Sequence, residues 1–196
     1  MKEVIINAKR YKRPVLVFAM RQEAGAYFEG FNRIFTGVGK INASYSLMKY
    51  LINHQPDLII NLGTAGSFSF KKGAVVCCTS FIQRDMDASP LGISKYKTPF
   101  STDKLVLKYG MVLKGLPQGV CGTGDHFENA HTTNLYSIVD MEAYALALIA
   151  KRENIPFLCL KYISDGADAK ALEDWTREIN KASESLLEAL STSIED

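Results

Sequence analysis

Apolar residues fall along the chain in short blocks of two different periods, and the two kinds alternate. Pro14 to Met20 (PVLVFAM), Leu58 to Leu62, Ala74 to Phe81 and Phe157 to Ile163 are largely apolar runs of strand length. Such runs predict strands buried on both faces, as in a parallel sheet. Phe31 to Phe35 is read as a further strand and Val120 to Thr123 as a weak one. Ile41, Tyr45, Leu47, Met48, Leu51 and Ile52 share one face of a helix that Pro56 ends. Met141 to Ala150 is apolar almost all round, the pattern of a helix covered on every side. A last helix carries Trp175, Ile179, Ala182, Leu186, Leu187, Leu190 and Ile194 on one face. Glu23 to Glu29 and Asp103 to Tyr109 are expected as short helices, the second capped by Ser101 or Thr102, and Ser89 to Pro99 as a long loop. Strands and helices in this order predict an α/β sandwich with a mostly parallel sheet, in one domain spanning residues 1–196.

The polar residues that interrupt the pattern do so at strand ends. Glu23, the run Gly63-Thr64-Ala65-Gly66, the segment Gly122 to Asp125, and Asp165 each follow a predicted strand. In a parallel sheet those ends share one edge, which is where open α/β sheets bind ligands. Glu142 is the one ionised group inside the apolar helical run, so burial there demands a hydrogen-bond partner. Taken singly, these residues have plain explanations. Asp165 reads as a turn cap, Glu23 as a solvated first-turn residue, Phe127 as core, and Glu142 equally well as a structural carboxylate.

Composition narrows the classes. The chain has 196 residues, 47% apolar and 22% charged, with a formal net charge of +2. Its Lys and Arg residues are scattered, which disfavours nucleic-acid binding. The opening MKEVIINAKRYKRP lacks the apolar core of a signal peptide, and no run approaches bilayer length, so a cytoplasmic protein with no membrane partner is expected. Cys77, Cys78, Cys121 and Cys159 contain no CxxC pair and read as buried thiols, with Cys121 as a minor candidate nucleophile. His54, His126 and His131 show no metal-ligand spacing, and Asp85 and Asp87 read as turn residues. No metal and no cofactor are expected.

Seven segments then carry a resemblance. AMRQE (Ala19 to Glu23), GVGKINA (Gly37 to Ala43), PDLIINLGTAG (Pro56 to Gly66), RDMDASPLG (Arg84 to Gly92), TGDHF (Thr123 to Phe127), VDMEA (Val139 to Ala143) and IPFLCLKYISDGAD (Ile155 to Asp168) occur in this order. Together they resemble the purine nucleoside phosphorylase and nucleosidase superfamily, most of all the 5'-methylthioadenosine/S-adenosylhomocysteine nucleosidases. The resemblance implies a three-layer sandwich with a central mixed, mostly parallel β-sheet flanked by helices. It implies hydrolysis of the N-glycosidic bond of a 5'-substituted adenine nucleoside. Glu23 would activate the attacking water as general base. Asp165 would protonate N7 of the purine, with Ser164 positioning it. Glu142 would accept hydrogen bonds from the ribose hydroxyls beside Met141, Phe127 would stack on the purine, Thr64 would line the ribose side and Met20 the 5' substituent. Family members of this kind are homodimers, and one is expected here.

The chemistry suits those residue types. Cleaving such a bond builds positive charge on the sugar and negative charge on the base, which calls for one protonated and one ionised carboxyl group flanking the bond. A phosphorylase would instead have to clamp a phosphate dianion, and Glu23 at the first strand end would repel it. A phosphorylase and a non-catalytic nucleoside-binding protein stand as the alternatives. Several positions depart from the family pattern: Glu128 where an apolar residue is usual, His126 and Tyr144 where small ones are, and Lys161 where an arginine is. They surround the base and 5' pockets, so methylthioadenosine, S-adenosylhomocysteine and 6-amino-6-deoxyfutalosine all stand as candidate substrates.

Overall fold

The computed structural model describes residues 2–130 and 133–191. Along the chain come β1 (Val4–Ile6), β2 (Lys9–Tyr11), β3 (Pro14–Phe18), α1 (Arg21–Ala24), β4 (Arg33–Phe35), α2 (Lys40–Asn53) and β5 (Leu58–Ser67). There follow β6 (Val75–Gln83), β7 (Leu107–Lys108), β8 (Gln118–Thr123), β9 (Ile138–Asp140), α3 (Ala143–Arg152), β10 (Phe157–Asp165) and α4 (Ala171–Ser191). His131 and Ile194 lie outside the described residues.

Two long strands form the spine. β5 and β10 run parallel, with Phe157 opposite Ile59 and Ile163 opposite Ala65. Val15, Val17, Ile59, Phe157 and Cys159 project into one core, while Leu16, Phe18, Leu58, Ile60, Leu62, Leu158 and Leu160 project into another on the opposite face. Successive side chains on a strand point to opposite faces, so runs that are apolar at both parities need cover on both sides. Helices supply it. Ala43 and Leu47 of α2 and Leu146, Ala147 and Ala150 of α3 fill the first core. Ala182, Leu186 and Leu190 of α4 fill the second, beside Val4, Ile6 and Tyr11 of the β1–β2 hairpin. Cys77 and Cys78 face the two cores separately, and all four thiols are free and buried.

The sheet is mixed, as the resemblance implies. β3 pairs in parallel with β4 and β5, and β8 with β6 and β9. β6 pairs antiparallel with β10 and β7, and β9 antiparallel with the end of β5. The pairings β5–β10–β6–β8–β9–β5 close on themselves, so the strand ends ring a common space. Among the described residues no helix is long and apolar enough to cross a membrane.

Several expectations are corrected. The glycines Gly63 to Gly66 do not form a turn; β5 runs straight through them. No helix forms over Asp103 to Tyr109. There Leu107 and Lys108 pair with β6, while Asp103 is anchored by Ser101, Lys151 and Arg152. The helix expected from Glu23 to Glu29 is the single turn α1, ended by Gly25 at φ +51°. α3 begins at Ala143, leaving Met141 and Glu142 just ahead of it. β9 and the N-terminal hairpin were not signalled by any clear periodicity.

The glycines in β5 have a steric reason. A Cβ at Gly63 would lie 2.9 Å from Glu23 Oε1, and one at Gly66 would lie 2.5 Å from Asp165 Oδ1 and 3.0 Å from Val139 Cγ2. The strand can pass only because neither residue has a side chain. Gly66→Ala is expected to destabilise the protein by about 1–3 kcal/mol, the usual range for overpacking. Urea unfolding checks this, and an unchanged midpoint would mean that Asp165 is not pressed against β5.

Candidate active site

Glu23 follows β3 by one short turn, and four donors converge on its buried carboxylate. The backbone N–H groups of Ala19 and Met20 donate to Oε2, both at 3.1 Å. The backbone N–H of Thr64 (2.9 Å) and its hydroxyl (3.0 Å) donate to Oε1. The indole Nε1–H of Trp175, reaching over from α4, donates to Thr64 Oγ1 at 3.0 Å. Glu23 thereby ties the end of β3 to the middle of β5.

Asp165 ends β10. Its Oδ1 accepts from the Ala167 N–H at 2.9 Å and its Oδ2 from the Ser164 hydroxyl at 2.8 Å. Burial raises its pKa, against the opposing pull of those two hydrogen bonds. A carboxyl group shifted in this direction is better able to hold a proton for delivery.

Glu142 lies between β9 and α3. Its Oε1 accepts from the backbone N–H of Gly39 at 2.8 Å, the partner that its burial required. Burial first, and then the Asp140 carboxylate, push its pKa up to about 8, while Lys161 and the Gly39 N–H pull the other way. Asp140 itself is held low: burial disfavours its charge, but the Lys161 ammonium at 2.8 Å together with hydrogen bonds from Thr123 and the Ala143 N–H outweighs this. Asp140 also accepts from Thr123 Oγ1 at 2.6 Å and from the Ala143 N–H at 2.9 Å, which caps α3. Lys161, reciprocally, is held charged by Asp140 despite its burial.

A second cluster fixes the segment after β8. Arg84 pairs with Glu128 at 2.8 Å, contacts His126 Nε2 at 2.6 Å and donates to the His126 carbonyl. Nearby, Lys40 at the start of α2 is clasped between Asp85 and Asp125, which brings the Gly39 N–H onto Glu142. Asp85 is therefore an ion-pair partner and Asp87 accepts from the Ser89 N–H, as turn residues do. Among the described residues no cluster of His, Cys, Asp or Glu is arranged to hold a metal ion.

All eight residues singled out from the sequence line one cavity of about 230 Å³: Met20, Glu23, Thr64, Phe127, Met141, Glu142, Ser164 and Asp165. Glu23 and Asp165, 142 positions apart in sequence, stand on the same wall-to-wall space. Phe127 is 45% exposed, an aromatic face open to the cavity rather than a core residue. Cys121 is not part of the wall, and burial pushes its thiol up to about 11, so it is no nucleophile. The sequence reading missed Arg84, Asp140 and Trp175, which also line the cavity. Trp175 was assigned to the apolar face of the last helix. Its indole N–H, which needs an acceptor when covered, was the available signal.

Comparison with known proteins gives this geometry a lineage. The family model described as "Phosphorylase superfamily" matches residues 32–195. A 5'-methylthioadenosine/S-adenosylhomocysteine nucleosidase of Buchnera aphidicola is 31% identical over 173 residues, covering 76% of this chain and 72% of the relative. The Helicobacter pylori nucleosidase of the same name, in complex with an inhibitor, superposes with a TM-score of 0.83 at 18% identity, covering 94% of this chain and 98% of its own. A futalosine hydrolase mutant of Helicobacter pylori gives 0.83 at 17% identity, with 94% and 99% covered. At such identities the two structures speak for the fold, and the sequence matches speak for descent. The chain belongs to the phosphorylase superfamily, among relatives that are 5'-methylthioadenosine/S-adenosylhomocysteine nucleosidases.

Proposed function

We propose that this protein hydrolyses the N-glycosidic bond of a 5'-substituted adenine nucleoside and releases adenine, with water as the second substrate. The observation that carries the reading is that, among the described residues, the cavity wall offers no uncommitted arginine or lysine to clamp a phosphate dianion: its one arginine, Arg84, is paired with Glu128, and Lys161 is paired with Asp140. Glu23, Glu142 and Asp165 face the same space, carboxyl groups that suit a sugar becoming cationic in the transition state. Arg21, the other cation near the first strand end, stacks over the Phe35 ring at 4.6 Å instead of entering the cavity. Hydrolysis is thus favoured over phosphorolysis.

The roles follow from chemistry. Glu23 is the group that takes a proton from the water. Asp165, steadied by Ser164, gives a proton to N7 of the departing purine. Glu142 accepts from the ribose 2'- and 3'-hydroxyls, since a carboxylate suits a vicinal diol. Phe127 offers its face to the purine, and Met20 and Thr64 bound the sugar and 5' side. Methylthioadenosine, S-adenosylhomocysteine and 6-amino-6-deoxyfutalosine share the adenine–ribose core that these groups address. Four free, buried thiols suit a reducing cytoplasm.

A homodimer completes the proposal. Ile41, Tyr45, Met48 and Ile52 recur at i, i+4, i+7 and i+11 on α2, and Ile41 and Ile52 are 80% and 77% exposed. A stripe of this kind on a soluble protein marks an interface, and a second copy can present the same stripe in return. Val38, two residues ahead of α2, lines the cavity, so a copy seated there would border the open side of the site.

Three measurements test these statements. Free adenine should appear from at least one of the three nucleosides without phosphate, and Asp165→Asn should lower that turnover about 10²–10⁴-fold with the melting temperature retained. Release only with phosphate, or wild-type rates in the variant, would reject the assignment. Binding should respond to pH through Glu142. Its pKa of about 8 means that the free protein carries the proton below that pH, while the diol-accepting form lacks it. Affinity for a substrate analogue should therefore weaken by up to about tenfold per unit as pH falls below 8, level off above it, and lose this dependence in Glu142→Gln. Finally, Ile41→Glu combined with Ile52→Glu should halve the mass measured by light scattering. A wild type that is already monomeric would refute the dimer.

A further inference from the structure

We infer that Trp175 is a positioning residue for the general base, acting on Glu23 through the hydroxyl of Thr64. The inference rests on the hydrolytic reading above and adds to it a residue from the last helix.

Four donors hold the Glu23 carboxylate: the backbone N–H groups of Ala19, Met20 and Thr64, and the Thr64 hydroxyl. The backbone donors are fixed by β3 and β5 and cannot turn away. The hydroxyl is the one rotatable donor of the set, so it is the one whose direction has to be set from outside.

Trp175 sets it. An indole N–H can only donate, so at 3.0 Å from Thr64 Oγ1 it makes that oxygen an acceptor. The hydroxyl hydrogen is then left to point at Glu23 Oε1, 3.0 Å away. Without the indole N–H, the rotor is free to turn its hydrogen towards the cavity or towards solvent, and the carboxylate loses its one adjustable tether. Because α4 also supplies Leu172 to the cavity wall, the first turns of this helix both close the site and hold its base in register.

The test is a double-mutant cycle on the full chain with the nucleoside that the wild type turns over best. Trp175→Phe keeps the ring and removes only the N–H, and Thr64→Val removes the acceptor. Trp175→Phe is expected to lower kcat about tenfold with KM changed by less than twofold and the melting temperature within about 2 °C of wild type. In the Thr64→Val background the same change should have no further effect, since the hydroxyl through which it acts is gone. Unchanged kcat in Trp175→Phe, or an equal drop in both backgrounds, would overturn the inference and leave Trp175 a packing residue. A wild type that releases no base from any of the nucleosides would remove the hydrolytic reading and this role with it.

Discussion

The site depends on the close passage of one strand beneath two carboxylates. β5 carries Gly63 under Glu23 and Gly66 under Asp165, and at neither position is there room for a Cβ. Three residues on a strand span about 10 Å. That spacing keeps the two close approaches apart along one strand. Rigid backbone, rather than side-chain length, determines where the two groups stand. Sites held by strands are more exact than sites held by loops, and a reaction that needs both acids at once gains from it.

A second constraint comes from the charges behind the cavity. Asp140 and Lys161 form an ion pair in which both side chains are almost fully buried. Such a pair adds little net stability, but removing either partner leaves a stranded charge. Here it also has electrostatic consequences. Asp140 caps α3 and raises the pKa of its neighbour Glu142, while Lys161 moderates that effect. Glu142 is thus held at about 8 by burial first and by this pair second, and the same pair locks β9 to β10 across the closed sheet.

Much of this was legible in the sequence, and the failures have identifiable causes. The double-sided apolar runs specified central strands because no other element buries both parities, and PVLVF and FLCLKYISD behaved so. Glu142 was visible as a charge inside an apolar run, while Asp165 was visible only as an acid following a predicted strand and singly read as a turn cap. The glycines of β5 misled, since glycine signals a turn and equally signals a close approach, and only the partner across the gap decides between them. The expected helix at Asp103 to Tyr109 lost to edge pairing of Leu107 with Phe81, a contact between residues 26 apart that no local rule contains. Trp175 was assigned to the right helix and the right face, but its second role depends on a threonine 111 residues away.

Two of the four departures from the family pattern resolve into one physical feature, whereas Lys161 pairs with Asp140 and neither it nor Tyr144 lines the cavity, contrary to expectation. Glu128 and His126, read as oddities in a pocket expected to be apolar, are partners of the buried Arg84. A carboxylate introduced alone into that wall would have been stranded; introduced with a guanidinium it becomes a bidentate-capable pair that fixes the segment bearing Phe127. The wall gains a donor and an acceptor close to the aromatic face of Phe127. A ligand entering beside Phe127 therefore meets hydrogen-bonding groups as well as an apolar surface. Polar complementarity is also the stronger discriminator, because a ligand that leaves such groups unpaired loses more than one that merely fits loosely.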